Sequence, residues 1–170
     1  INEFLKQEPQ IINHSQERQQ VKGVIDFDQV SFTYPDTKIQ ALNKVSFTVN
    51  PGETFAIIGH TGSGKSTLLE LIARLYDIDS GAYTMDGIAA KTINLYDLRN
   101  AIGYVPQDAF LFSESILDNI KFGKADATQE EIESVAKRAV VHDNIMGFKK
   151  GYDTVLGERG ITLSGGQKQR

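Results

Sequence analysis

The sequence predicts an α/β fold: a mixed sheet core with an antiparallel β portion, followed by a more helical second half. Three observations carry this expectation. Apolar and polar residues alternate through 24–34 and again through 45–49, the pattern of half-buried strands. A continuous apolar run, TFAIIG at 54–59, then leads through a glycine-rich loop into residues with helical spacing, as a strand covered on both faces and its following helix would. The second half of the chain is the more helical one.

The elements follow in order. Residues 1–22, INEFLKQEPQIINHSQERQQVK, are rich in Gln, Asn and charge and have little apolar period; they read as a linker or arm. From Val24, VIDFDQVSFTY reads as a first strand and VSFTV (45–49) as a second, with NPGE (50–53) turning the chain into TFAIIG. After Gly59 the period changes. Leu68, Leu71, Ile72 and Leu75 fall at i, i+3, i+4 and i+7, one stripe of an amphipathic helix. GAYTMDG (81–87) is a short strand between glycine turns, and IGYVPQ (102–107) is another. TQEE (128–131) is a capping box with Thr128 at the cap and Glu131 three residues on; Ile132, Val135, Ala136 and Ala139 form the expected buried stripe of the helix it opens. No internal repeat and no low-complexity tract interrupts the chain.

Composition bounds the function. A chain of 170 residues fits one domain, or most of a larger one. A net charge of −4 gives no electrostatic case for nucleic acid as partner. The lack of cysteine excludes disulfides and thiolate metal sites within the chain and fits a cytosolic setting. No apolar run is long enough to span a bilayer, and the N-terminus lacks the basic start and apolar core of a signal peptide. His14, His60 and His142 are scattered without metal-ligand spacing.

The chemistry begins at GHTGSGKS, residues 59–66. Gly, four residues, Gly, Lys and Ser between an apolar strand and a helix form a phosphate loop. Gly59, Gly62 and Gly64 permit backbone conformations in which successive N–H groups turn inward on an anion. His60, Thr61 and Ser63 fill the loop, and the helix start through Ser66 and Thr67 adds unpaired N–H groups and a positive dipole end. Lys65 reaches the β- and γ-phosphates, and the Ser66 hydroxyl is the expected ligand for Mg²⁺. The loop alone leaves kinase, GTPase, motor and transporter open. The one Asn-Lys pair, 43–44, precedes the loop and lacks the aspartate of guanine specificity.

Later motifs narrow the choice. LSGGQ at 163–167, followed by KQR, and YVPQD between it and the phosphate loop, resemble the motifs of the ATP-binding cassette (ABC) family. The resemblance extends over about residues 24–170. It implies a P-loop NTPase fold of ABC type, with residues 23–170 as the N-terminal part of a nucleotide-binding domain and about 109–170 as an incomplete helical subdomain. It also implies that Tyr34 stacks on adenine and that Gln107, at the Q-loop position, ligates Mg²⁺ and the attacking water. Two such domains pair head to tail in the family, so Ser164, Gly165, Gly166 and Gln167 would meet the ATP of a partner domain in trans. From the residues themselves, Ser164 is a good cap for a helix beginning at Gly165 and Gly166, and those glycines allow a phosphate close to the backbone.

GERG (157–160) and LRNAIGYVPQDAFLFSESILDNI (98–120) resemble exporter-type domains fused to membrane helices. The implied partners are a second nucleotide-binding domain and a membrane-spanning domain of the same parent chain, to which 1–22 would be the connection; Glu158 and Arg159 would either touch that domain's cytoplasmic loops or form a solvated charge pair. The implied setting is the cytoplasmic face of the membrane. The alternative is a soluble, non-transport ABC ATPase. In the family the second Mg²⁺ acid, the catalytic carboxylate and the switch histidine follow the signature. The 170 residues contain no four-residue apolar run ending in Asp-Glu. The expectation is therefore a piece of a longer ATPase that binds Mg-ATP and hardly hydrolyses it.

Overall fold

Strand β1, Ile25–Thr33, is one of the two inner strands of a four-stranded antiparallel sheet in the computed structural model, which describes residues 9–157 and 163–169. Its neighbours are β2 (Gln40–Val49) on one side and β3 (Ser80–Met85) on the other, and β3 continues into the two-residue β4 (Ile88–Ala89). Phe27 pairs with Phe47 and with Tyr83, and its ring lies 4.7 Å from both. Such cross-strand pairs are the unit of sheet stability. The apolar face is kept in phase by irregularity. Between Phe27 and Val30 the register with β2 slips by one residue, at Gln29 with φ 50; between Val30 and Phe32 it slips back, with Lys44 of β2 at φ 50. One extra residue in each strand keeps Phe27, Val30, Phe32 and Leu42 all buried in one core, where a regular ladder would have turned half of them to the other face.

Helix α1, Lys65–Ile72, contributes Leu68 and Leu71 to that core. It is shorter than the expected stripe. Arg74 adopts φ 51, Leu75 N–H donates to Glu70 O (2.8 Å), and Arg74 N–H donates to Leu71 O (2.9 Å). This is the paired-bond ending that glycine usually provides, here built on an arginine. Leu75 consequently leaves the helix and is 44% exposed. Arg74 is itself buried, its Nε on Asp77 (3.0 Å) and its Nη2 on the Ile12 carbonyl (3.2 Å).

That last bond belongs to a longer seam. Residues 9–22 have no helix or strand, yet they are fastened to the first unit. Asn13 Oδ1 accepts from Leu95 N–H at the start of α2 (Leu95–Asn100), and Asn94 Nδ2 donates to Ser15 O. Asp97 takes both the Arg18 guanidinium (2.7 Å) and Gln19 N–H (2.8 Å). Lys22, Gly23 and Val24 N–H all converge on the Asp86 carboxylate. Asp86 and Gly87, both at positive φ, form the two-residue turn between β3 and β4, the geometry an Asp-Gly hairpin favours.

Two expected strands are corrected. TFAIIG (54–59) and IGYVPQ (102–107) carry no ladder in the structure. Phe55 stacks on Phe47 and Ile57 touches the core, but Ile58 is 94% exposed. A strand exists only by pairing its N–H and C=O groups, and no described segment forms a ladder with either stretch. Their apolarity reports a covered setting that the sheet around β1 does not provide.

The chain divides into two compact units, residues 1–104 and 105–170. The second is the more helical one, as expected. It holds α3 (Ile116–Lys121), α4 (Gln129–Arg138), α5 (His142–Met146) and α6 (Gly165–Gln169) around Ile116, Ile132, Ala136, Ile145, Tyr152 and Leu156. The capping box at Thr128 and Glu131 is present with both bonds. Val135, expected on the buried stripe of α4, is instead 46% exposed, because that stripe is narrow and centres on Ile132 and Ala136. His142 Nδ1 pairs with Tyr152 OH at 2.8 Å, a structural role. Glu158 and Arg159 lie outside the described residues.

Two predictions follow from these termini and turns. Helix α4 ends as α1 does, with Val140 at φ 55 and bonds from Val140 and Val141 N–H to Lys137 and Ala136 O. A β-branched residue is costly in that conformation, so Val140→Gly should stabilise the protein by about 1 kcal/mol; a lowered denaturation midpoint would contradict this. Burial raises the Asp86 pKa, but the N–H groups of Val24, Lys22 and Gly23 together outweigh it and hold the carboxyl below its ordinary value. A depressed carboxylate stabilises the fold above its unfolded pKa, and that stability is lost as pH falls through the folded value. Amide exchange at residues 22–24 should therefore accelerate on acidification below the ordinary aspartate range, and Asp86→Asn should blunt this pH dependence.

Candidate functional site

The glycine-rich loop is fixed in place by its last glycine. Gly64 is the N-cap of α1 at φ 84, and a Cβ added there would lie 2.5 Å from the Ala41 carbonyl oxygen and 2.9 Å from Leu42 Cδ2. Glycine is required by both the conformation and the lack of space. The loop closes on itself through Ser63 N–H to His60 O (3.2 Å). Lys65 Nζ donates to Gly59 O (2.9 Å) and His60 O (2.7 Å), spanning the loop from its helix side. An ammonium has three hydrogens, so this bracing still leaves a donor for an anion.

The start of α1 carries no side-chain cap and no acidic residue in its first turn. The first N–H bonded back into the helix is that of Leu68, to Gly64 O. The N–H groups of Lys65, Ser66 and Thr67 therefore emerge at the helix end, where the dipole is positive. Gly59, His60, Thr61, Gly62 and Ser63 form an exposed loop ahead of them. This donor set fits a chain of phosphates. Ser66 is exposed and offers a hydroxyl suited to Mg²⁺. Among the described residues no cluster of three or more His, Cys, Asp or Glu forms a metal site.

Tyr34 shares a cavity of about 450 Å³ with Gly62, Gly64, Lys65, Ser66 and Thr67, within the roughly 300–1,000 Å³ of small-molecule sites. Thr37, Ile39 and Ala41 complete its wall; nothing local in the sequence marked these three. The Tyr34 ring is edge-on to Phe32 (5.1 Å) and Tyr76 (5.5 Å). Its hydroxyl meets Thr67 Oγ1 (2.8 Å) and donates to Glu70 Oε2 (2.9 Å). Burial pushes the phenol above its ordinary value; the Thr67 hydrogen bond pulls it down and the Glu70 carboxylate pushes it up. Thr67 is buried, so its side chain serves Tyr34 and only its backbone N–H remains for an anion.

Gln107 and the LSGGQ segment lie in the second unit. Gln107 is exposed, and its carbonyl accepts from Gln169 Nε2 (2.7 Å). Ser164 caps α6, as expected: Gln167 N–H donates to Ser164 Oγ (3.3 Å) and Ser164 N–H to Gln167 Oε1 (3.0 Å). The signature is thus itself a capping box, a reading the S-G-G-Q spacing allows. Gly165 and Gly166 form the exposed first turn.

An uncapped helix start behind a glycine loop, with an aromatic on the same cavity, defines a nucleotide-binding protein of the P-loop class. The comparisons give the family. A model described as ABC transporter matches residues 42–170, and the chain belongs to that family. YgaD of Bacillus subtilis (strain 168), provisionally named a multidrug export ATP-binding/permease protein, is 52% identical over 151 residues, 89% of this chain and 26% of that protein. Human ATP-binding cassette sub-family B member 6 is 49% identical over 149 residues, 88% of this chain and 18% of its own. A solved structure of a bacterial Atm1-family ABC exporter with ATP bound superposes with a TM-score of 0.90 at 36% identity, covering 98% of this chain and 29% of that one. The fold is therefore that of ABC ATPases, and the chain spans about a quarter or less of the length of these curated relatives.

Gly64→Ala should lower stability by about 2 kcal/mol, from the left-handed strain and the contact with Ala41, and should abolish nucleotide binding. Chemical denaturation and a binding titration check the two halves separately; an unchanged midpoint would show that the loop does not rest on β2 as described.

Proposed function

We propose that this chain is the ATP-binding portion of an ABC exporter. The observation that carries the reading is the open, acid-free start of α1 at the phosphate loop, on one cavity with Tyr34. In this reading the N–H groups at 62–67 and Lys65 hold the phosphates, Tyr34 stacks on adenine, and Ser66 contributes to the Mg²⁺ shell. When bound, the metal would neutralise phosphate charge. Ser164, Gly165, Gly166 and Gln167 face the γ-phosphate of a second, head-to-tail domain. The exposure of both glycines on the first turn of α6 supports this, since a phosphate needs open backbone there.

Residues 1–22 connect to a membrane-spanning domain of the whole protein, which hydrolyses ATP to drive export. The names and titles of the similar proteins, multidrug export and ABC exporter, support the transport role. Among the described residues no helix is long and apolar enough to cross a membrane, so that domain would come from elsewhere in the parent. The 170 residues bind Mg-ATP with little turnover, because they contain no acidic pair at the end of an apolar strand.

Titration of the chain with Mg-ATP should show saturable binding, weakened roughly tenfold to a hundredfold by Lys65→Ala, as expected for losing one charged hydrogen-bond donor. Absence of binding by the unaltered chain would sink the reading. A steady ATPase rate that Lys65→Ala abolishes would sink the claim of low turnover.

A further inference from the structure

The geometry points to Glu70 as a positioning residue that orients the Tyr34 ring for the base of the bound nucleotide. This deepens the ATP-binding reading and rests on it. The direction of the hydrogen bonds follows from their chemistry. A carboxylate only accepts, so the single phenolic proton of Tyr34 goes to Glu70 Oε2 at 2.9 Å. The 2.8 Å contact with Thr67 must then be donated by the Thr67 hydroxyl to the phenolic oxygen. The result is one directed chain, Thr67 to Tyr34 to Glu70.

Thr67 and Glu70 stand three residues apart on α1, so they are neighbours on one helix face, and they hold the phenol from two sides. Tyr34 follows directly after β1, and edge-on rings of Phe32 and Tyr76 flank it. Rotation of the ring about its axis would bring it against these rings, while tilting it away from α1 would break the bonds to Thr67 and Glu70. The helix whose start carries the phosphate donors therefore also holds the aromatic platform, one turn further on. Base and phosphate positions are set from a single rigid element, which reduces the ordering that binding must impose.

The test measures affinity for Mg-ATP and for inorganic tripolyphosphate, which has no base, on the full chain and on Glu70→Ala, Glu70→Gln, Tyr34→Phe and the double variant Tyr34→Phe/Glu70→Ala. Glu70→Ala should weaken ATP about fivefold and leave tripolyphosphate unchanged. Glu70→Gln should restore ATP affinity, because its amide carbonyl still accepts from the phenol. Tyr34→Phe, which loses the bond from Thr67 as well as the one to Glu70, should weaken ATP at least as much as Glu70→Ala, and the double variant should be no worse than Tyr34→Phe alone, since the bond to Glu70 is already gone. Without any nucleotide, NMR of ring-labelled tyrosine should show the Tyr34 ring signals shifted in Glu70→Ala and restored in Glu70→Gln.

Equal weakening of ATP and tripolyphosphate by Glu70→Ala, additive losses in the double variant, or no rescue by glutamine would overturn the assignment. An unaltered chain that binds neither ligand would instead overturn the ATP-binding reading, and the NMR comparison would still decide whether Glu70 holds the ring.

Discussion

Much of this structure depends on one close approach, that of the Gly64 backbone to the Ala41 carbonyl of β2. No side chain fits there, so the chain passes directly from the loop over the sheet and starts α1 at a fixed point. From that point Leu68 and Leu71 reach the core, and the first three N–H groups emerge toward the cavity. Thr67 and Glu70 come to lie against the tyrosine that follows β1. Packing and the placing of the candidate site are set by the same contact, so the first unit cannot move its glycine loop without disturbing its core.

The far end of α1 is controlled by a different device. Arg74 takes a backbone conformation that costs an ordinary side chain about 1 kcal/mol or more, and its buried guanidinium holds Asp77 and the Ile12 carbonyl. The strain is offset by bonds that tie the extended segment 9–22 to the helix. Asn13, Ser15, Arg18 and Gln19 extend the seam along α2, and the Asp86 carboxylate closes it. What composition describes as an arm is a strap whose hold is mostly backbone to side chain, and so depends little on its own residue types.

This explains what could be read in advance. The phosphate loop, the cap at Thr128 and the cap at Ser164 are local: every partner lies within a few residues, so spacing suffices. Strand β1 and the second half of β2 were legible from alternation and β3 from the glycines that bound it, but the break in phase between Phe27 and Val30 depends on pairing with β2 and was not. Glu70 was not legible, because its partner Tyr34 is 36 positions away and only the fold joins them. The stop at Arg74 was missed because the expected signal is glycine. The runs at 54–59 and 102–107 misled for the opposite reason. Apolarity records that a segment is covered in its working state, and it does not name the element that covers it.

The reciprocal cap at Ser164 and Gln167 separates two demands that fall on one oxygen. Holding the helix start uses a lone pair, and for that purpose aspartate or asparagine would serve as well as serine. In the proposed trans site, meeting a phosphate would require a proton, which the cap leaves free to rotate outward. A hydroxyl does both at a single atom, and a carboxylate in its place would keep the helix while repelling the anion. Substitutions at this position can therefore divide folding from recognition, and the residue type tolerated there reports which of the two the site is serving.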